Sequence, residues 1–388
     1  MTEFDTPIMV SPGPVHVDPH RWHGIPLLHH RSDAFREIVK GTERLIASLI
    51  GTGSPVYIVT ASGTGAMEMA VANCVRPGSR VLVVTGGKFG ERWGEICRAY
   101  GCTPELLSFA KGEAVDTEAV ARRVEAVRPD LLMLTQVESS TGLLCPIAEL
   151  IGSLPTPRPV TVVDAIASLG AEELAMDDWG IDVVVAASQK AFAAPPGIGF
   201  VSMSERAREI TRGSARDGPW PGYYFDIDRY ERGREVGDSP FTPAIQTLQL
   251  VHDSLSHLER LGWREVRRIH RQAARAFLTA AGHLSLRSFP ETPSAAVQAL
   301  LLPDGCHGER VVRQLFEKQR VIIAGGQGEL KGRIVRTGFL GVHGGAAIGH
   351  VVGALGAVLE GEGFHVDIDA AQATLHDISD RAALFCAT

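Results

Sequence analysis

Val183-Val184-Val185-Ala186-Ala187-Ser188-Gln189-Lys190 is an apolar, β-branched run that closes on one lysine, with Ala194-Pro195-Pro196-Gly197-Ile198-Gly199 just beyond it. The run predicts a buried strand, and a strand that delivers one amine to its carboxyl end presents it in the crevice of an α/β sheet. A second run, Val160-Thr161-Val162-Val163, ends in Asp164. The interval of about 26 residues is roughly one strand, crossover and strand, so two neighbouring strands are expected to end in an acid and an amine facing one crevice. Taken singly, Asp164 also reads as a helix N-cap and Lys190 as a solvated loop residue.

An amine beside a carboxylate suits pyridoxal phosphate, which needs a lysine for its Schiff base and an acid to keep its ring nitrogen protonated. Upstream, a strand over Val56 to Thr60 leads into Ala61-Ser62-Gly63-Thr64-Gly65 and a strong helix-forming run from Ala66 to Ala72. A glycine-rich turn opening a helix offers free N–H groups and the positive end of a dipole to phosphate. The same turn also reads as a tight strand-to-helix connection. It has neither the spacing of a nucleotide P-loop nor that of a dinucleotide fingerprint, since Ala66-Met67-Glu68 stands where x-x-Gly is required.

Alternation continues with a strand at Arg80 to Val84, a helix near Gly90 to Tyr100, a helix around Thr117 to Val127, a strand at Leu131 to Val137 and another at Gly199 to Met203. This order predicts a mostly parallel sheet with helices on both faces. Helices follow over Ala244 to Leu261 and Trp263 to Gly282, then strands at Ala296 to Leu302 and Ile334 to Arg336, which read as a smaller α+β domain. Gly325-Gly326-Gln327-Gly328 reads as a flexible loop. The expected division is an amino-terminal arm (1–20), a large domain (21–250) and a small domain (251–388).

Further candidates carry two readings each. Phe89, flanked by glycines after a strand end, is either a core ring or one that lies over a flat heteroaromatic cofactor. Ser139, Ser140 and Thr141 are either N-caps or hydrogen-bond partners of a ring hydroxyl. Arg336 either joins a structural ion pair or grips a substrate carboxylate. His16, His20, His23, His29 and His30 crowd the N-terminal region without an accompanying carboxylate set, so they read as loop residues and no metal site is expected.

At 388 residues the chain is long enough for two domains, and a net charge of −7 with both signs dispersed leaves no basic patch for nucleic acid. No stretch approaches a membrane span and the acidic start leads into no apolar signal, so a cytoplasmic protein is expected. The six cysteines form no C-x-x-C pair and read as mostly buried thiols.

Ser11-Pro12-Gly13-Pro14, Ser62-Gly63-Thr64-Gly65-Ala66-Met67-Glu68, Glu138-Ser139-Ser140-Thr141-Gly142, Asp164 with Ser168-Leu169-Gly170, Ser188-Gln189-Lys190 with Ala194-Pro195-Pro196-Gly197, and Gly325-Gly326-Gln327-Gly328 with Lys331-Gly332 occur in order. Together they resemble the class V aminotransferases of the pyridoxal-phosphate fold-type I group, in the alanine/serine–glyoxylate branch. The resemblance spans nearly the whole chain. It implies that Lys190 forms the Schiff base and later moves a proton between the substrate α-carbon and the cofactor, and that Asp164 pairs with the ring nitrogen. It places Phe89 on the ring face, Ser62, Gly63, Thr64 and Gln189 at the phosphate, Ser139 or Ser140 near the ring hydroxyl, and Arg336 on the substrate carboxylate. It further implies a homodimer with shared active sites, Thr242 reaching the partner's phosphate and Gly13 lining the substrate entrance.

The implied activity is ping-pong transfer of an amino group from a small, alanine- or serine-like amino acid to a 2-oxo acid such as glyoxylate. A dedicated biosynthetic transaminase would carry the same cofactor set. A desulfurase or other lyase of the same cofactor needs a mobile nucleophilic cysteine, for which Cys306 is the candidate. A nucleotide-binding dehydrogenase is opposed by the missing fingerprint, and a non-catalytic binding protein by the lysine and aspartate.

Overall fold

Seven strands build the central sheet of the computed structural model, which describes residues 7–17, 24–213, 222–341 and 344–375. In chain order they are β1 (Val56–Thr60), β2 (Val81–Thr85), β3 (Glu105–Ser108), β4 (Leu131–Thr135), β5 (Val160–Asp164), β6 (Val183–Ala187) and β7 (Ile198–Met203). Their spatial order is β1-β7-β6-β5-β4-β2-β3, with β7 antiparallel to both neighbours and every other pairing parallel. Strands β2, β4, β5 and β6 are buried along their whole length. That is why they read as continuous apolar runs rather than as alternation: helices cover both faces. In register, Asp164 lies opposite Val185 of β6 and Thr135 of β4, so the carboxyl ends of the middle strands converge.

Helices α1 (Asp33–Ile50), α2 (Gly63–Cys74) and α3 (Lys88–Ala99) cover this sheet together with α4 (Ile245–Leu261). Helix α1 starts at Ser32, whose hydroxyl accepts the Phe35 N–H, and stops at Gly51 in the left-handed conformation, the expected cap residues at each end. Its buried Phe35, Val39, Leu45, Ile46 and Leu49 join the same core as Leu248, Val251 and Leu255 of α4.

A second, antiparallel sheet has the order β8 (Arg287–Ser288), β9 (Gln298–Leu301), β11 (Ile334–Thr337), β10 (Ala324–Gly325). Its core joins Leu300 and Val335 to Phe277 of α5 (Trp263–His283) and to Val351 and Leu355 of α6 (Gly345–Gly361). The amino-terminal segment reaches this unit: Ile8 and Met9 pair in parallel with Val321 and Ile322.

Several boundaries differ from those read in the sequence. Strand β3 was not anticipated; it is a four-residue edge strand with alternating exposure, too short for a clear period-2 signal. The apolar run from Leu131 to Val137 is two strands, because Val137–Glu138 leaves the sheet to pair with Leu143–Leu144. Helix α3 begins at Lys88, so Phe89 sits in its first turn. The start is hard to read because Gly87 supplies no side-chain cap. Gly325 belongs to edge strand β10, held against β11, and the glycine-rich loop begins only after it.

Candidate active site

Lys190 follows β6 on a turn that closes on itself. Ser188 Oγ donates to Pro195 O at 2.5 Å and accepts the Ile198 N–H at 3.4 Å, Ala193 N donates to Lys190 O at 3.0 Å, and Ser254 Oγ of α4 donates to Phe192 O. The turn is thus pinned on both sides of the lysine, whose half-buried side chain enters a cleft that Asp164, Phe89 and Gln189 also line. Burial lowers the Lys190 amine from 10.5 to about 8; Asp164 acts against that shift and the positive Arg336 adds to it.

Asp164 lines the same cleft. Its Oδ1 accepts the Ile166 N–H at 2.7 Å, so it does cap the following turn, but that accounts for only one of its oxygens. Burial pushes its carboxyl from 3.8 to about 7; the Ile166 N–H opposes the shift, Glu138 adds to it, and Lys190 and Arg92 oppose it. A carboxyl and an amine whose protonation has been moved towards neutrality by burial, in one cleft, is the pattern of a working site.

Ser62, Gly63 and Thr64 also line the cleft, at the start of α2, where Ser62 Oγ accepts the Gly65 N–H at 3.3 Å. Gly63 packs so close to Ile166 that a Cβ would lie 2.9 Å from it. Gln189 borders the cleft with its amide oxygen buried and without a protein partner. Phe89 is half-buried on the cleft wall, unlike the fully buried Trp93 of the same helix. Ser139 also reaches the cleft, whereas Ser140 turns its hydroxyl to Glu138 at 2.6 Å.

Arg336 approaches from β11 of the second sheet and is buried. Its Nε and Nη2 donate to Gly325 O at 2.9 and 2.7 Å, and its Nη1 donates to Ser139 O at 2.6 Å, which ties the two sheets together beside Lys190. A guanidinium has five N–H donors, so one remains on each Nη, the edge that fits a carboxylate. Gly13 packs on the lysine itself: a Cβ there would lie 2.5 Å from Nζ. Thr242 is exposed and lies outside the cleft of its own chain.

Two residues that matter here were not anticipated as site residues. Arg92 lines the cleft, with its guanidinium 4.6 Å from the Phe89 ring centre; its signal was its position three residues after Phe89, on the same helix face. Glu138 stood in a quoted motif without a role, and its buried carboxylate accepts the Phe89, Gly90 and Ser140 N–H groups. His20 and His23 lie outside the described residues, among which no group of three or more His, Cys, Asp or Glu side chains is placed to hold a metal ion. Cys74, Cys97, Cys102, Cys145 and Cys306 are buried free thiols, and Cys386 lies outside the described residues.

The sequence profile described as Aminotransferase class-V matches residues 17–330, most of the chain. The chain belongs to this family. Among the relatives of this class-V aminotransferase, the "Soluble hydrogenase, small subunit" of Synechococcus sp. is 34% identical over 86% of this chain and 88% of its own length. The L-aspartate–glyoxylate aminotransferase of Paracoccus denitrificans is 29% identical, with 86% of each protein covered. A crystal structure of ureidoglycine-glyoxylate aminotransferase from Bacillus subtilis superposes with a TM-score of 0.91 at 26% identity, covering 97% of this chain and 98% of the other. The fold is therefore that of the fold-type I aminotransferases.

Proposed function

We propose that this class-V aminotransferase uses pyridoxal phosphate to move an amino group from a small amino acid to a 2-oxo acid such as glyoxylate. The observation that carries the reading is the meeting of Lys190, Asp164, Phe89 and the Ser62–Thr64 helix start around one cleft. The residues fit the group: an amine, a carboxylate, a ring on the wall, an open helix start and the Gln189 side chain, whose amide NH2 can donate to phosphate. When bound, the cofactor supplies an aldehyde for the amine and a protonated ring that accepts electrons from the substrate α-carbon.

Lys190 Nζ holds the cofactor and, once displaced by substrate, moves a proton between the α-carbon and the cofactor carbon that bore the aldehyde. Its lowered proton affinity suits it to act as a base near neutral pH. Asp164 keeps the ring nitrogen protonated. Phe89 stacks on the ring, Ser62, Gly63, Thr64 and Gln189 hold the phosphate, and Ser139 meets the ring hydroxyl with Ser140 behind it. Arg336 orients the substrate carboxylate, and the Gly13 segment borders the entrance.

The reading extends to a cytoplasmic homodimer divided at about residues 20 and 250, with Thr242 reaching the partner's phosphate site. In support, Thr242 is exposed and lies outside the cleft of its own chain. No helix among the described residues is long and apolar enough to cross a membrane. The amino–glyoxylate names of relatives support glyoxylate as acceptor.

The test is a matrix of donors against 2-oxo acids on the cofactor-loaded protein. The visible band is expected to fade with a small amino acid alone and to return on adding glyoxylate; a band indifferent to every amino acid would refute the assignment.

A further inference from the structure

Arg92 occupies a distinctive place in the cleft. Its Nη1 donates to Thr64 Oγ1 at 3.1 Å, and its guanidinium lies against the Phe89 ring, so it spans the start of α2 and the stacking wall. Of the residues that line the cleft, Arg92 and Lys190 are the cations. The amine of Lys190 is committed to the cofactor's aldehyde carbon, so once bonded there it is not a free ammonium available to neutralise the phosphate. A phosphate at the Ser62–Thr64 turn therefore has the dipole of α2 and, for a full counter-charge within this chain's cleft, Arg92. Thr64 fits the same arrangement: its hydroxyl oxygen accepts from Arg92, which leaves its proton to donate to a phosphate oxygen.

Two other roles compete. Resting on Phe89, Arg92 would steady the ring by a cation–π contact. Acting on Asp164, whose ionised form it favours, it would serve the ring nitrogen. Both concern the ring end of the cofactor, which pyridoxal and pyridoxal phosphate share.

We propose that Arg92 is a cofactor-binding residue whose guanidinium pairs with the phosphate, acting jointly with the Thr64 hydroxyl at the start of α2. The proposal rests on the reading that pyridoxal phosphate is the cofactor. Cofactor-free wild type, Arg92→Gln and Arg92→Lys are each titrated with pyridoxal phosphate, with pyridoxal, and with pyridoxal phosphate against inorganic phosphate, following the visible band and protein fluorescence. Arg92→Gln should weaken pyridoxal phosphate by about tenfold or more while pyridoxal changes by less than about twofold, as loss of a charge-assisted bond to phosphate alone requires. Competition by inorganic phosphate should weaken in parallel, and Arg92→Lys, which keeps the charge, should recover part of the affinity. Equal weakening of both ligands, or no weakening of pyridoxal phosphate, would overturn the proposal. Melting curves of the two variants identify any that fails to fold, and Arg92→Lys then carries the comparison alone, its loss required to fall on pyridoxal phosphate and not on pyridoxal. A wild type that binds neither ligand would instead overturn the cofactor reading, and this proposal with it.

Discussion

Lys190 Nζ donates a 2.7 Å hydrogen bond to the carbonyl of Pro12, a residue 178 positions away in the chain. The amino-terminal segment therefore lies directly on the amine, held there by Val15 N donating to Gln189 O at 3.3 Å and by the pairing of Ile8–Met9 with Val321–Ile322. Before the amine can join a cofactor, this one contact must be exchanged.

The contact explains Gly13. It has φ of +129°, a region that side chains disfavour, and a Cβ would lie 2.5 to 2.8 Å from Nζ, Cδ and Cε of Lys190. Gly13→Ala is expected to displace either the segment or the lysine, and misplacement of a reacting group by about 1 Å costs up to roughly a hundredfold in rate. Steady-state transamination should fall by about tenfold or more while the melting temperature changes little. Wild-type turnover would show that the segment does not sit on the lysine in solution.

Glu138 joins the stacking residue to the serine motif. Its Oε2 accepts the Phe89 and Gly90 N–H groups at 2.9 and 3.0 Å, and its Oε1 accepts from Ser140 N and Oγ at 3.0 and 2.6 Å. It thus caps α3 from a distant strand, where Gly87 provides no side chain. Glu138→Gln would turn an amide donor towards one of these donor pairs. A loss of about 2 kcal/mol is expected from denaturant unfolding, the cost of buried N–H groups left without partners. An unchanged unfolding midpoint would mean that the carboxylate does not hold this turn.

The cofactor-free protein should carry a pH signature of its site. Asp164, raised from 3.8 to about 7, keeps a proton in the folded state that the unfolded chain has released, so its contribution to stability falls as pH rises through that window. Lys190, lowered from 10.5 to about 8, is the reverse above neutrality: the unfolded chain holds the extra proton, so stability returns as pH rises from about 8 to 10.5. Asp164→Asn keeps an oxygen for the Ile166 N–H and removes the first effect. At about pH 8 the cofactor-free variant is expected to melt roughly 2 °C or more above wild type, with the gap closing towards about pH 4. A variant that melts below wild type at both pH values would contradict the buried, proton-holding carboxyl.

Cys306 is buried before the helix Gly308–Gln319, outside the residues that line the cleft, and burial raises its thiol further from the reactive thiolate. Cys306→Ser should therefore retain transamination within about twofold, and wild type should release no sulfide from cysteine. Sulfide release that the substitution abolishes would favour a desulfurase.

What the sequence disclosed follows from the range of the interactions concerned. Strands β5 and β6 are buried on both faces, so their apolar runs and terminal Asp164 and Lys190 were legible locally. The start of α2 was legible because Ser62 caps it with its own side chain. Helix α3 has its cap in Glu138, about 50 residues away, and the position of Phe89 in its first turn was hidden accordingly. Arg92 depends on that helix phase and on Thr64 of another helix, while the cover on Lys190 depends on a segment from the far end of the chain. Those relationships exist only after the sheets have packed.

The central claim is that Lys190 carries the cofactor. Borohydride reduction of the protein loaded with pyridoxal phosphate, followed by proteolysis and peptide mass analysis, reads this directly. The account predicts a single stable pyridoxyl-phosphate label, on the peptide containing Lys190, with none in Lys190→Ala. A label on another lysine, or no label on protein that shows the visible band, would contradict it.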